Sequence, residues 1–397
     1  MENEPKNNRR RPRRAKKQRL WLPLTVAVIC IVGVVVAAVF IGSQNTPADP
    51  DAGNKTVIHL AAGGDLNITD DVVAAADSDG SFKNAFMDVL PLLSNADLSI
   101  LNFEGSFYGE PYGSESRSAP ASLAKALASA GVDILQLANS CSVSGGIAGL
   151  VSTIDTVEHS GLIPLGAYRN PEEAKKEKGY TLVEVQGIRI AFVAFTKGMD
   201  GMALPAGSEG CINLLYKDYD STYQTVDTDG ITKVMNSVRA SNPDITVAMV
   251  HWGSEFNDSV SKTQKEIKTL LQENGADAII GTHPHYVQKL EFDKETGNFV
   301  AYSLGDFFSD ATRAGTEYSI LLDLEITKNH DTGETRVTNY SYTPIFTVRQ
   351  EGRALRVMRI RETMAAYENN YMDRVPESVY QAMEYALKRI EARVKGE

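Results

Sequence analysis

The sequence predicts an α/β fold, and three observations carry that expectation. From Val57 onward, short apolar runs alternate with stretches of helical periodicity. Five of the runs hand over directly to a carboxylate, an amide or an imidazole, and the carboxyl edge of an α/β sheet is where ligands bind. Glycines close the intervening helical stretches, as they do at helix C-caps. A chain of 397 residues, 43% hydrophobic and 23% charged, has room for one large domain or two smaller ones.

Residues 1–19 are a basic tail. Nine lysines and arginines against Glu2 and Glu4 give it +7, so a net charge of −11 leaves −18 for the remainder. That acidic body argues against nucleic-acid binding by the folded part. Residues 20–41 are 22 uncharged residues, about the length that crosses a hydrocarbon core as a helix. The basic block before them keeps the amino terminus cytoplasmic and places the rest outside. A cleaved signal peptide is the rival reading, but its apolar region is shorter and ends small-x-small. This run ends Val39-Phe40-Ile41, and the expectation is an uncleaved single-pass anchor in the cell membrane. Residues 42–56 read as a polar linker, 57–350 as the main domain and 351–397 as a helical extension. Cys141 and Cys211 would both be extracytoplasmic, which permits a disulfide without establishing one.

Within the main domain, the run at 57–62 leads into Gly63-Gly64-Asp65, and 97–101 into Asn102-Phe103-Glu104. The run at 132–137 leads into Ala138-Asn139-Ser140-Cys141, and 245–250 into His251-Trp252-Gly253. The fifth, Ala278 to Ile280, is ended by Gly281 and leads into His283-Pro284-His285. Pro284 pushes His283 toward an extended conformation, and residues two apart on an extended segment point to the same side. The two imidazoles are therefore expected to converge. Crossover helices are expected at 120–130, 147–159 and 263–273, and a long loop or insertion overhanging the site at 198–232. Another strand, 299–304, precedes Gly305-Asp306-Phe307. The segments 319–326 and 340–348 read as strands of a second sheet, and 378–394 as an amphipathic helix packed on the domain.

Each polar residue has an ordinary role open to it. Asp65 can be a turn carboxylate, Glu104 a helix cap, Asn139 an Asx-turn and His251 a core histidine. Their joint placement at strand ends points instead to a shared site. Asp, Glu, Asn and His make up the mixed ligand set of a dinuclear hydrolytic centre, suited to Mn, Fe or Zn. Asp65, Glu104, His251, His283 and His285 are the candidate ligands, with His251 and His285 also the candidate catalytic imidazoles. Asn102 and Asn139 are the candidate substrate-binding amides. His59, His159 and His330 have no such setting and read as structural or surface residues.

The order of these motifs resembles the CapA family of poly-γ-glutamate capsule synthesis proteins. The resemblance rests on Gly64-Asp65, Asn102-x-Glu104, His251-Trp252-Gly253, Gly281-x-His283-Pro284-His285 with Val287-Gln288, and Tyr302-Ser303-Leu304-Gly305. It implies a calcineurin-like metallophosphatase fold, two packed β-sheets flanked by helices, and a role in making or exporting an anionic polymer at the cell envelope. It implies as partners an envelope polymer or phosphoester, and other capsule-synthesis membrane proteins. Two departures stand out. Where the family carries Asn-Asn-His and then an acid, this chain has Asn139-Ser140-Cys141 and Ser144. The family's Gly-Asn-Phe becomes Gly305-Asp306-Phe307. The first departure removes the imidazole that assists a leaving group, so strong hydrolase activity is not expected. Three functions follow in order: a capsule-polymer protein with a divalent-metal site, a metal-dependent phosphoesterase, and a binding domain without chemistry. An acidic body repels an acidic polymer, so bound metal or a local basic patch must offset the charge.

Overall fold

A computed structural model describes residues 54–349, 354–371 and 375–397. The basic tail, the apolar span at 20–41 with Cys30, and almost all of the linker lie outside these residues. Among the described residues, no helix is long and apolar enough to cross a membrane.

Strands β1 (Lys55–Asn67), β2 (Leu98–Glu104), β3 (Ile134–Gln136) and β4 (Ile163–Leu165) lie parallel and side by side. The chain then builds a second sheet from β5 (Tyr180–Val185), β6 (Ile188–Thr196), β7 (Ile245–His251), β8 (Ala278–Thr282), β9 (Leu290–Phe292) and β10 (Phe299–Ala301). Their order is β5-β6-β7-β8-β10-β9, with β6, β7, β8 and β10 parallel. Afterwards the chain returns to the first sheet. The short β11 (Asp306–Phe308) pairs parallel with the end of β1, while β12 (Tyr318–Asn329), β13 (Thr335–Val348) and β14 (Arg356–Arg359) extend it antiparallel.

The helices follow the glycine and capping signals. Helices α1 (Asp70–Val73), α2 (Lys83–Phe86) and α3 (Leu90–Ser94) are short turns between β1 and β2. Helix α4 (Ala121–Ala130) buries Leu123, Ala124 and Leu127 and stops at Gly131, whose φ of 97° is the left-handed C-cap conformation. Next come α5 (Gly146–His159), α6 (Pro171–Glu177) and α7 (Thr228–Ala240). Helix α8 (Lys262–Glu273) opens on a capping box between Ser261 and Gln264. Helices α9 (Ile360–Glu368) and α10 (Glu377–Lys395) complete the chain.

Period-2 alternation explains how the layers stack. Ile190, Phe192 and Ala194 of β6 and Val247 and Met249 of β7 share one core with Ile58, Leu60 and Ala62 of β1 and Leu322 and Leu324 of β12. The intervening residues Ala191, Val193, Ala248 and Val250 face the other way, onto Ile231, Met235 and Val238 of α7 and Ile267 and Leu271 of α8. The result is an α/β fold of two packed sheets with flanking helices.

Three expectations need correction. Strands β12 and β13, expected in a second sheet, belong to the first, because β12 pairs with β1 from Lys55 to Ala62. The second sheet is built instead from β5 to β10. Strand β8 continues through Gly281 to Thr282, since this glycine is needed for close packing: a Cβ there would collide with the Tyr302 carbonyl and the Trp252 indole nitrogen. Lastly, the expected loop at 198–232 already turns helical at Thr228.

Candidate metal centre

The carboxyl ends of β1, β2, β7 and β8 meet in one buried place. Gly64 takes Asp65 tight against the chain after β10, where the Asp65 N–H donates to the Gly305 carbonyl at 3.0 Å and Asp65 registers opposite Asp306. A Cβ on Gly64 would collide with that carbonyl. Glu104 ends β2, His251 ends β7, and His283 and His285 follow β8. All five side chains are buried.

Hydrogen bonds fix their orientation. The Glu104 carboxylate meets His251 Nε2 at 2.8 Å, and the Thr196 hydroxyl lies 3.0 Å from Nδ1 on the far side of that ring. The Asp65 carboxylate accepts the His283 backbone N–H at 3.0 Å. His285 Nδ1 lies 2.8 Å from Asp306 and 3.5 Å from Asp65, with Nε2 3.9 Å from Glu255. The His251 and His283 ring centres are 4.3 Å apart, and those of His283 and His285 are 6.0 Å apart.

The two histidines converge by a different route from the expected one. His283 has φ 89° and His285 φ 59°, so both occupy the left-handed region and strand alternation is not the cause. Such backbone costs about 1–3 kcal/mol per residue and gathers at functional sites. Here it is held by the Asp65 carboxylate on one side and by the Phe256 N–H, which donates to the Pro284 carbonyl at 2.9 Å, on the other.

Asn102 and Asn139 do not face a ligand space. The Asn102 amide donates to Asp65 at 2.7 Å and to Glu104 at 3.2 Å. Asn139 donates to the Asn102 side-chain oxygen at 3.0 Å and to the Phe103 carbonyl at 2.7 Å, and accepts from the Cys141 N–H. Asn102 thus orients the two carboxylates, and Asn139 orients Asn102. The other three histidines stay apart: His59 pairs with Asp323, His159 with the Asp155 carbonyl and His330 with Thr56.

Sequence reasoning missed four residues here. Asp306 is buried against His285. Glu255 faces the same ring. Lys197 follows β6 and reaches His283 Nε2 at 3.4 Å and the Gly253 carbonyl at 3.0 Å. Asn67 donates to Asp306 at 3.2 Å. The strand-end signal that found the others applies to Lys197 as well.

Burial and neighbouring charges set the electrostatics of the centre. Burial, then Glu104, drives the Asp65 carboxyl well above the usual range. Burial also pushes Glu104 up, but the neighbouring His251 outweighs it and holds that carboxyl down to about 2. Burial would depress His285, and Asp306 overrides it to raise the imidazole well above normal. Burial holds His283 well below, keeping it neutral, and its Nδ1 is buried without a partner. A neutral imidazole with an orphaned ring nitrogen beside Glu104 and Glu255, whose carboxyls are both held low, is a donor set that fits a divalent cation. Three groups have ligand atoms within 4.8 Å of one another: Glu104, His251 and His283; Glu255, His283 and His285; Asp65, His285 and Asp306.

The family model for bacterial capsule synthesis protein PGA_cap matches residues 59–311, well over half of the chain and all of these residues. The chain belongs to the PGA_cap family. It is 26% identical over 326 residues to the capsule biosynthesis protein CapA of Bacillus anthracis, spanning 79% of this chain and 75% of that one. It is also 27% identical over 206 residues to the PGA biosynthesis protein CapA of Bacillus subtilis (strain 168), across 52% of this chain and half of the relative. A Mycoplasma pneumoniae protein described as a novel phosphatase aligns over 73% of this chain and 94% of its own, with TM-score 0.44 and 13% identity. A hypothetical protein from Thermus thermophilus aligns over 72% and 98%, with TM-score 0.43 and 15% identity.

Against the family pattern, Ser140 donates its hydroxyl to Glu104 at 3.1 Å. Cys141 is buried, and burial followed by Glu104 pushes its thiol up to about 12. Both it and Cys211 are free thiols.

Proposed function

We propose that this PGA_cap-family chain is a membrane-anchored, extracytoplasmic protein that works in the synthesis or export of an anionic envelope polymer of the poly-γ-glutamate type. It does so beside other capsule-synthesis membrane proteins, with a divalent-metal site at its centre. Glu104, His251, His283, His285 and Asp65 hold the metal, joined by Asp306 and Glu255. Bound metal supplies Lewis acidity and neutralises charge on an anionic group. The single observation that carries the reading is the set of three adjoining ligand groups that share His283 and His285, inside the segment that matches the family.

Metal analysis of the full-length chain beside a His283→Ala/His285→Ala variant tests it. Stoichiometric Mn, Fe or Zn in the first and none in the second is expected. A folded wild-type chain without metal sinks the reading.

One observation favours a phosphoesterase as the second reading. Ligand groups that share residues resemble the paired-metal clamp of hydrolytic centres. Against efficient hydrolysis, the edge of the site at 139–141 offers an amide, a hydroxyl and a protonated thiol where an imidazole would donate to a leaving group. Phosphoester turnover by the same two preparations separates the readings.

A further inference from the structure

We propose that Arg117 and Arg313 form a cationic rim over the metal centre and select a ligand carrying an oxyanion, either a carboxylate or a phosphoryl group. The inference deepens the reading above and rests on that site being the ligand site. Both arginines line a cavity of about 230 Å³ whose floor is Glu104, His285 and Asp306.

Their settings differ from those of most of the described arginines, which pair with carboxylates. The cavity is also lined by Asp200, Glu255 and Asp310, yet among the described residues neither guanidinium forms an ion pair with a carboxylate. Arg117 is held off by the Ile68 carbonyl, to which Nη1 donates at 3.4 Å. Its backbone lies at φ 53°, the left-handed region that a long side chain rarely adopts. The Ser106 N–H fixes it there by donating to the Arg117 carbonyl at 2.7 Å. Arg313 is held by stacking: its guanidinium carbon sits 3.7 Å from the centre of the Phe256 ring. That ring in turn lies 5.2 Å from His285. A guanidinium stacked on a ring keeps its N–H edge free for a planar oxyanion, which it grips with two parallel hydrogen bonds. Lys197, the other cation nearby, is tied to Gly253 and His283 and sits over Tyr223.

The rim answers a charge problem that composition raises. An acidic body repels an acidic ligand at long range, and two arginines free of ion pairs at the entrance offset part of that charge locally. Carboxylates of a polyglutamate and phosphoryl groups share the recognised chemistry.

The test titrates the full-length chain with inorganic phosphate and, separately, with a γ-linked glutamate oligomer. Arg117→Gln, Arg313→Gln and the double variant are compared with wild type. Metal content and melting midpoint are read on each preparation. The expected result is unchanged metal content and midpoint, with the dissociation constant raised about tenfold per arginine, as for loss of one charge-assisted contact. Arg→Lys changes restore only part of it, because an ammonium cannot bind in the planar fork. Whichever probe binds more tightly identifies the source of the oxyanion. The proposal is overturned if the double variant binds both probes like wild type, or if wild type binds neither. Should the double variant lose its melting transition, Arg313→Gln at its exposed position carries the test alone. Absence of metal from wild type sinks the metal reading by itself, since the two titrations still judge the arginines.

Discussion

Asp306 shows what a single residue adds to the centre. It is buried, lies 2.8 Å from His285 Nδ1, and takes a hydrogen bond from Asn67. A carboxylate in contact with a ligating imidazole fixes the ring orientation and raises its basicity, and losing it costs at least about 10–100-fold in metal affinity. Asp306→Ala should therefore weaken metal binding by at least that factor; a competition titration against a chromophoric chelator measures it. Unchanged affinity would mean that Asp306 is structural only. In the sequence, Asp65, Glu104, His251, His283 and His285 were legible because each stands directly past an apolar run. Asp306 was not, because β10 ends at Ala301 and Asp306 opens a separate three-residue strand. The roles of Asn102 and Asn139 were illegible for another reason. Composition places an amide at a site, but only the hydrogen-bond partners show whether it faces ligand or scaffold.

At the scale of elements, one device sets the parallel strands four times. Asp97, Asp133, Asp244 and Asp277 each stand one residue before β2, β3, β7 and β8. Each donates its N–H to, and accepts the N–H of, a single residue on the neighbouring strand: His59, Ser99, Arg189 and Thr246. A one-residue slip would turn every side chain of a strand to the opposite face, and Glu104 and His251 would leave the site. Asp277→Ala strands the Thr246 N–H and should cost about 1–3 kcal/mol. Asp277→Asn keeps the accepting oxygen. Burial raises the Asp277 carboxyl, so the folded chain holds that proton more tightly than the unfolded one. The stability this contributes is fully present below the unfolded value of about 3.9 and is lost as pH rises through the folded value. Urea unfolding should find the Asn variant at least as stable as wild type near neutral pH, with that advantage gone below about pH 4. An Asn variant as unstable as the Ala variant at both pH values would remove the register argument. The alternation of strands and helices was readable in advance, but partner choice was not. The pattern of β12 suits either sheet equally, and only its pairing with β1 from Lys55 onward decides the matter.

Across the whole molecule, the centre spans the seam between the two sheets. Asp65 and Glu104 come from the first, His251 and His283 from the second, and the shared core of Ile58, Leu60, Phe192 and Val247 holds them face to face. Unfolding separates these ligands completely, so a cation that binds them stabilises the folded chain by mass action. At a free metal concentration 100-fold above the dissociation constant the gain is about 2.7 kcal/mol. For a chain of this size that corresponds to a rise in melting midpoint on the order of 5 °C. Adding a chelator should lower the midpoint of the full-length chain by about that much, and restoring metal should recover it. The His283→Ala/His285→Ala variant should melt at one temperature with or without chelator, because its sheets no longer share a cation. An equal chelator effect on both proteins would place the stabilising metal elsewhere. No effect on a wild-type chain shown to give up its metal to the chelator would mean that the unfolded chain binds the cation as well as the folded one does, and the sheets are then not joined by it.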